Sequence, residues 1–167
     1  MFPHDLLEET ERLLDLARAR GWHITTAESC TGGLIAGLLT AISGSSDVVD
    51  GGAVTYSNAA KIRMLGVQAD LIATHGAVSE PVALAMAEGA RDAAKVELSI
   101  AVTGVAGPGG GTAEKPVGLV WFGVATPDSV RAESCVFPGD RTAVRVATVR
   151  HALVLLRAAL DSGRRYA

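Results

Sequence analysis

The stretch from Ala27 to Gly33 combines acidic, hydroxyl, thiol and small side chains at a place where a strand is expected to turn into a helix. A short segment that is predicted as a strand, residues 23–26, precedes it, and a helical apolar run, residues 34–39, follows it. Such turns lie at the carboxyl edge of a sheet, where the first N–H groups of the helix are free to bind an anion. Ser29 and Thr31 are also good helix caps, so a purely structural role stays open from the residues alone.

Three other groups of polar side chains could take part in chemistry: Ser45 with Ser46, Tyr56 with Lys61, and Arg141 with Arg145. A lysine can activate a serine hydroxyl when burial or a nearby cation, such as Arg63, lowers the pKa of the lysine toward neutrality. Lys61 is the candidate for that role, and an ordinary surface lysine is the alternative. The two arginines lie four residues apart on one predicted helical face, where they could clamp an anion or form a solvated pair with carboxylate neighbours.

Several classes of site are not indicated by the spacing of the side chains. The four histidines form no close-spaced ligand pair, and Cys30 and Cys135 lack metal-ligand spacing, so no metal centre is expected. The chain contains no glycine-rich nucleotide-binding motif, and the glycine-rich residues 104–111 are interpreted as a lid or a surface loop. No histidine lies near a candidate serine in the sequence, which argues against a Ser-His-Asp triad.

Composition indicates one globular domain, residues 1–167, with 49% hydrophobic and 20% charged residues. A net charge of −3 gives no reason to expect a nucleic-acid partner. No apolar run reaches membrane-spanning length, so no membrane partner is expected. The two cysteines are interpreted as free thiols of a reducing compartment, and a cytoplasmic location is expected. Oligomeric state is left open, including a homo-oligomer.

Hydrophobic periodicity and turn residues predict a single three-layer α/β/α domain with a mixed sheet. Strands are predicted at residues 22–26, 52–56, 98–103, 117–125 and 129–137. The fourth of these is apolar on both faces and is expected to be central, whereas the fifth alternates and is expected at an edge. Helices are predicted at residues 5–20, 29–42 and 68–74, in a short segment between Ser57 and Gly66, from Ser79 onward, and from Asp140 to Asp161.

Five ordered motifs carry a family resemblance that covers the chain from about residue 8 to residue 158. They are Ala27-Glu28-Ser29-Cys30-Thr31-Gly32-Gly33, Thr55-Tyr56-Ser57-Asn58 with Lys61, Gly76-Ala77-Val78-Ser79-Glu80-Pro81, Thr103-Gly104-Val105-Ala106-Gly107-Pro108 and Gly139-Asp140-Arg141. Together they resemble the C-terminal domain of the CinA (competence/damage-inducible) family. The stand-alone members of this family are nicotinamide-nucleotide amidohydrolases.

This resemblance implies an enzyme that acts on a small-molecule nucleotide without a metal or cofactor. The expected reaction converts nicotinamide mononucleotide to nicotinic acid mononucleotide and ammonia, within pyridine-nucleotide salvage, by a Ser/Lys mechanism. Lys61 would be the general base, and Tyr56 a proton relay or positioning group. Thr103 and Gly104 would line the site and Arg141 would hold the phosphate. Further substrate contacts are predicted at Glu28, Thr31 and Gly32.

Two serines compete for the role of nucleophile, and Ser46 is slightly favoured. Ser29 is expected to be tied to backbone N–H groups at a helix start, whereas Ser46 lies in a turn without such a duty. Ser29 would then orient Lys61 or support the oxyanion. Cys30 is a third candidate, because a helix N-terminus lowers the pKa of a thiol. A non-catalytic nucleotide-sensing or competence-related interaction module is the alternative function, which would need neither Lys61 nor the serines.

Overall fold

A five-stranded mixed sheet is the centre of the molecule over residues 1–162, the part of the chain that this computed structural model describes. The strands are β1 (Ile24–Glu28), β2 (Val49–Val54), β3 (Leu98–Gly104), β4 (Leu119–Ala125) and β5 (Val130–Val136). The helices are α1 (His4–Arg20), α2 (Leu34–Thr40), α3 (Asn58–Leu65), α4 (Ala69–His75), α5 (Glu80–Ala94) and α6 (Arg141–Ser162).

The strands lie in the order β2-β1-β3-β4-β5, so β4 is an interior strand and β5 an edge strand, as predicted. β1 is parallel to both β2 and β3, whereas β4 and β5 are antiparallel to their neighbours. Glu28, the last residue of β1, is paired with Val54 on one side and Val102 on the other. The loops that follow these three parallel strands therefore start at the same end of the sheet, which is called its carboxyl edge below.

Helices cover both faces of the sheet, which confirms the predicted three-layer α/β/α domain. One face packs against α1, α2 and α6 around buried residues such as Leu38, Phe122 and Leu153. The other face packs against α5, which α3 and α4 flank, and includes Ile72 and Met86. Within residues 1–162, no helix has the length and apolar character needed to span a membrane.

Two predicted boundaries near the first motif are wrong. β1 continues to Glu28 rather than ending at residue 26, and α2 begins at Leu34 rather than at residue 29. Gly32 and Gly33 have φ of +60° and +98°, values that a right-handed helix does not contain. Residues 29–33 therefore form a turn, and Ser29 stands between strand and helix instead of inside the helix.

Candidate active site

Lys61 and Ser29 form a buried pair at the carboxyl edge of the parallel strands. The side chain of Lys61 is 1% exposed, and its Nζ donates hydrogen bonds to Ser29 Oγ at 3.0 Å and to the Thr55 carbonyl at 2.8 Å. The Ser57 side chain caps α3 by accepting a bond from the Ala60 N–H, which starts the helix directly after the β2 loop. Lys61, in the first turns of this helix, thereby reaches back to the ends of β1 and β2.

The surroundings of Lys61 favour its neutral form. No carboxylate among residues 1–162 lies within ion-pair distance of its Nζ. Burial lowers the pKa of Lys61 below the usual lysine value, because desolvation penalises the ammonium form. Arg63, the cation named as a cause in the sequence interpretation, is exposed, and burial is the dominant cause. A neutral amine beside a hydroxyl can accept the hydroxyl proton.

The backbone that follows Ser29 offers hydrogen-bond donors. The Ser29 N–H is bonded to the Val102 carbonyl at 3.0 Å, and the Ser29 carbonyl accepts from Gly32 at 3.1 Å. Over the described chain, neither the Cys30 N–H nor the Thr31 N–H donates a hydrogen bond to another residue. Buried N–H groups without acceptors are rare in folded proteins. These two donors, next to the Ser29 hydroxyl, are suited to stabilise an oxyanion.

Glu28 occupies the helix N-terminus that the sequence interpretation left free for an anion. Its fully buried carboxylate accepts bonds from the N–H groups of Gly33 at 3.1 Å, Ile35 at 3.0 Å and Ala36 at 2.8 Å. It also accepts from the Thr31 hydroxyl at 2.6 Å. The predicted free helix N-terminus is therefore wrong, because the anion there is a side chain of the protein itself.

This geometry argues against the side chains of Glu28 and Thr31 as substrate contacts, since both are fully buried and bonded to each other. The same finding removes the argument against Ser29, whose hydroxyl is not needed to cap α2. Gly32, by contrast, is exposed on the turn and lies beside the Arg145 guanidinium.

Ser46 lies at the opposite end of the sheet from Lys61. It is exposed in a 3₁₀ turn, Ser45–Asp47, that leads into the amino end of β2, where Val49 pairs with Ile24. Lys61 meets the carboxyl end of the same strands, and the length of β1 separates the two ends by roughly 13 Å. This geometry argues against Ser46 as the nucleophile and favours Ser29. The local sequence did not reveal at which end of the sheet the Ser46 turn lies.

Cys30 is also a poor nucleophile in this fold. Its side chain is 5% exposed and packs into the core formed with α1, α2 and α6. Burial raises the pKa of the thiol to about 11, with a smaller contribution from the nearby Glu28 charge. The reactive thiolate is therefore scarce near neutral pH.

Two arginines of α6 point toward this edge and are not paired with carboxylates among residues 1–162. Arg145 donates to the carbonyls of Cys30 at 3.1 Å and Thr31 at 3.0 Å, and so holds the turn that carries Ser29. Arg141 is exposed and borders a cleft of about 450 Å³ with Pro108. The alternative from the sequence, a solvated arginine pair bound to neighbouring carboxylates, therefore does not describe Arg141 and Arg145.

Tyr56 lies at the surface beside Arg141 rather than in the buried pair. Its side chain is 60% exposed, and its hydroxyl accepts a 2.9 Å bond from Arg141. Arg141 also donates to the Gly107 carbonyl at 2.9 Å, which connects the loops after β2 and β3. No hydrogen bond in the described chain joins Tyr56 to Lys61 or Ser29, so the geometry favours a positioning role over a proton relay.

Thr103 and Gly104 shape the floor of the site without presenting free groups. The Thr103 hydroxyl donates to the Ala77 carbonyl at 2.8 Å, and the residue is 1% exposed. A Cβ at Gly104 would lie 2.8 Å from the Leu119 carbonyl oxygen, so glycine permits the close pairing of β3 with β4. Thr55, which its residue type did not mark as a site residue, accepts a hydrogen bond from Lys61 at its carbonyl, and its buried hydroxyl lacks a partner in the described chain.

Comparison with known proteins identifies the family of this chain. The family model "CinA C-terminal domain" matches residues 7–160. The nicotinamide-nucleotide amidohydrolase PncC of Escherichia coli K12 is 47% identical over 158 residues, which are 93% of this chain and 95% of that protein. A CinA-like protein of Syntrophobacter fumaroxidans is 53% identical over 139 residues, which are 83% of this chain. That match covers 33% of the relative, so the chain spans about a third of the length of such CinA-like proteins.

Solved structures share the whole architecture. The crystal structure of the competence/damage inducible protein CihA from Agrobacterium tumefaciens has a TM-score of 0.92 and 49% identity. The match covers 96% of this chain and 98% of that one. A CinA superfamily protein from Klebsiella pneumoniae has a TM-score of 0.90 and 39% identity, covering 94% of this chain and 98% of that chain.

Proposed function

Because the chain belongs to the CinA C-terminal domain family, we propose that it hydrolyses the carboxamide of nicotinamide mononucleotide to nicotinic acid mononucleotide and ammonia. The relative from E. coli, matched over nearly its full length, is named for nicotinamide-nucleotide amidohydrolysis. The observation that carries the proposal is the buried Lys61 amine, hydrogen-bonded to Ser29 and free of any carboxylate partner within residues 1–162. Such a reaction belongs to pyridine-nucleotide salvage.

In the proposed reaction, neutral Lys61 takes the hydroxyl proton of Ser29 as the serine oxygen attacks the carboxamide carbon. The N–H groups of Cys30 and Thr31 stabilise the negative oxygen of the tetrahedral intermediate. Protonated Lys61 then gives its proton to the amide nitrogen, the C–N bond breaks and ammonia leaves. Lys61 then takes a proton from the water that attacks the Ser29 ester and returns it to Ser29 Oγ as the C–O bond breaks, which releases the nicotinic acid product.

A second part of the proposal assigns the substrate phosphate to Arg141. The exposed guanidinium borders a cleft between Pro108 and the start of α6, and a guanidinium suits the geometry of phosphate oxygens. Arg145, one helical turn further on, adds positive charge while it holds the carbonyls of Cys30 and Thr31. A mononucleotide would thus present its amide to Ser29 and its phosphate to α6.

A non-catalytic nucleotide-sensing module is the competing hypothesis, and the Lys61 environment argues against it. Burying a cationic group without a counter-charge costs stability, and nucleotide binding through α6 does not require it. A general base, in contrast, needs the low pKa that burial produces.

The proposal is tested by incubating the purified protein with nicotinamide mononucleotide in the presence of a metal chelator. We expect equal amounts of ammonia and nicotinic acid mononucleotide, measured by an enzymatic ammonia assay and by mass spectrometry. Binding of the nucleotide without release of ammonia would support the sensing module instead. Turnover that disappears with the chelator and returns with zinc would overturn the metal-free mechanism.

A further inference from the structure

Three side chains with metal-binding atoms converge between the edge strand β5 and α6. Glu133 and Cys135 are two residues apart on β5, so their side chains point to the same face of the strand, where His151 of α6 packs. The carboxylate oxygen, the thiol sulfur and the imidazole nitrogen all lie within 4.8 Å of one another. Oxygen, nitrogen and sulfur donors of this kind are the usual ligands of zinc.

Two of the three ligand-to-ligand distances can be compared with those of a tetrahedral site, and the third, between Glu133 and Cys135, is within 4.8 Å. His151 Nε2 lies 3.6 Å from Cys135 Sγ and 2.6 Å from Glu133 Oε1. With usual zinc bond lengths, a tetrahedral ion separates its nitrogen and sulfur ligands by about 3.6 Å and its nitrogen and oxygen ligands by about 3.4 Å. The thiol and the imidazole are therefore already spaced for an ion. The Glu133 carboxylate must move away from His151 by less than about 1 Å, and its half-exposed side chain has room for this shift.

The ring of His151 is held in place by its aromatic neighbours. Its centroid lies 4.7 Å from that of Phe122 and 6.1 Å from that of Phe137, both in edge-to-face arrangements. This packing fixes the direction of Nε2 toward β5 before any ion arrives, which reduces the ordering that binding requires. The sequence did not indicate this site because Cys135 and His151 lie on different elements, 16 residues apart.

We propose that Glu133, Cys135 and His151 bind one zinc-type divalent cation, with solvent water as the fourth ligand. The half-exposed Glu133 leaves the site open to solvent on one side. Coordination converts the Cys135 thiol to a thiolate and releases its proton to water. Arg131, on the same face of β5, is the cation that opposes binding.

The bound cation would link the edge strand β5 to α6, the helix that carries Arg141 and Arg145. It lies apart from the Ser29–Lys61 pair, because β3 and β4 stand between β1 and β5. The site is thus a stabilising one, independent of the proposed hydrolysis. A ligand that binds only the folded state raises the melting temperature in proportion to the logarithm of its concentration.

The test uses the chelator-treated full-length protein, titrated with Co²⁺ as a spectroscopic probe and then with Zn²⁺. We expect one Co²⁺ per chain, with thiolate-to-metal charge-transfer absorption and the visible bands of tetrahedral cobalt. Zn²⁺ should displace it and raise the melting temperature. The variants Cys135→Ser, His151→Gln and Glu133→Gln should each lose at least about tenfold in affinity, and Cys135→Ser should also lose the charge-transfer band.

His23→Gln is the matched control, because His23 and Glu97 form another surface His/Glu pair, 3.5 Å apart, without a cysteine. This variant should bind Co²⁺ as the unaltered protein does. Absence of the charge-transfer band in the unaltered protein, or equal weakening by His23→Gln, would overturn the proposal. If Cys135→Ser does not fold, the half-exposed Glu133→Gln variant decides, and unchanged affinity there contradicts the three-ligand site.

Discussion

Lys61 Nζ lies 3.0 Å from Ser29 Oγ although 32 positions separate the two residues in the chain. The parallel pairing of β1 with β2 brings their carboxyl ends side by side, so the loops after Glu28 and Val54 start next to each other. α3 follows at once, and its first turns direct Lys61 back over the end of the sheet. The proposed catalytic pair is thus a product of strand order and of an early helix start.

Activity should rise with pH as Lys61 loses its proton, because only the neutral amine can accept the proton of Ser29. Burial lowers the pKa of Lys61, so the midpoint of the rise should lie below the usual lysine value of 10.5. Lys61→Ala should reduce kcat by at least about 10²-fold. Lys61→Arg should fail equally, since guanidinium stays protonated. The measurement is a pH profile of kcat, with the exposed Arg63→Ala on the same helix as control.

Arg141→Ala should weaken the binding of nicotinamide mononucleotide by roughly 1.5–3 kcal/mol, the range for a hydrogen bond to a charged group. Nicotinamide riboside, which lacks the phosphate, should lose little from the same change. Calorimetric titration of both ligands measures the difference. Tyr56→Phe is the control, since it removes the hydroxyl bound to Arg141 and keeps the guanidinium. Equal losses for both ligands would show that Arg141 acts on the fold or on the chemistry.

Glu28→Gln should lower the free energy of unfolding by at least about 2 kcal/mol, because an amide cannot accept all the bonds that the buried carboxylate accepts. Thr31→Val removes one of these bonds and should cost about 1 kcal/mol. Denaturant titration at neutral pH provides the comparison. A Glu28→Gln variant as stable as the unaltered protein would show that the carboxylate does not hold the start of α2.

Thiol alkylation near neutral pH should leave Cys30 unmodified, because its thiol is buried and has a pKa of about 11. Cys30→Ala should keep kcat within about threefold, since the proposed role of this residue rests on its backbone N–H. Mass mapping of the alkylated protein together with its turnover checks both statements. An inactive Cys30→Ala protein that folds normally would support Cys30 as the nucleophile instead.

The order of helices and strands was predictable because each element has its own hydrophobic period and turn residues. The Ser79–Pro81 helix start and the alternation of β5 are examples. That Lys61 contacts Ser29 and not Ser46 was not predictable, because such contacts join distant segments of the chain. Glu28 caps α2 from the end of β1, and this releases Ser29 from the capping role that its residue type suggested. The end of the sheet at which the Ser46 turn lies depends on how the strands are arranged, and the local sequence pattern carries no information about that arrangement.

The most direct measurement compares ammonia release from nicotinamide mononucleotide by the Ser29→Ala and Ser46→Ala proteins, with a metal chelator present throughout. We expect Ser29→Ala to lose all measurable turnover while it still binds the nucleotide. Ser46→Ala, altered at the opposite end of the sheet, should match the unaltered enzyme. An active Ser29→Ala protein beside an inactive, folded Ser46→Ala protein would contradict the Ser29–Lys61 assignment.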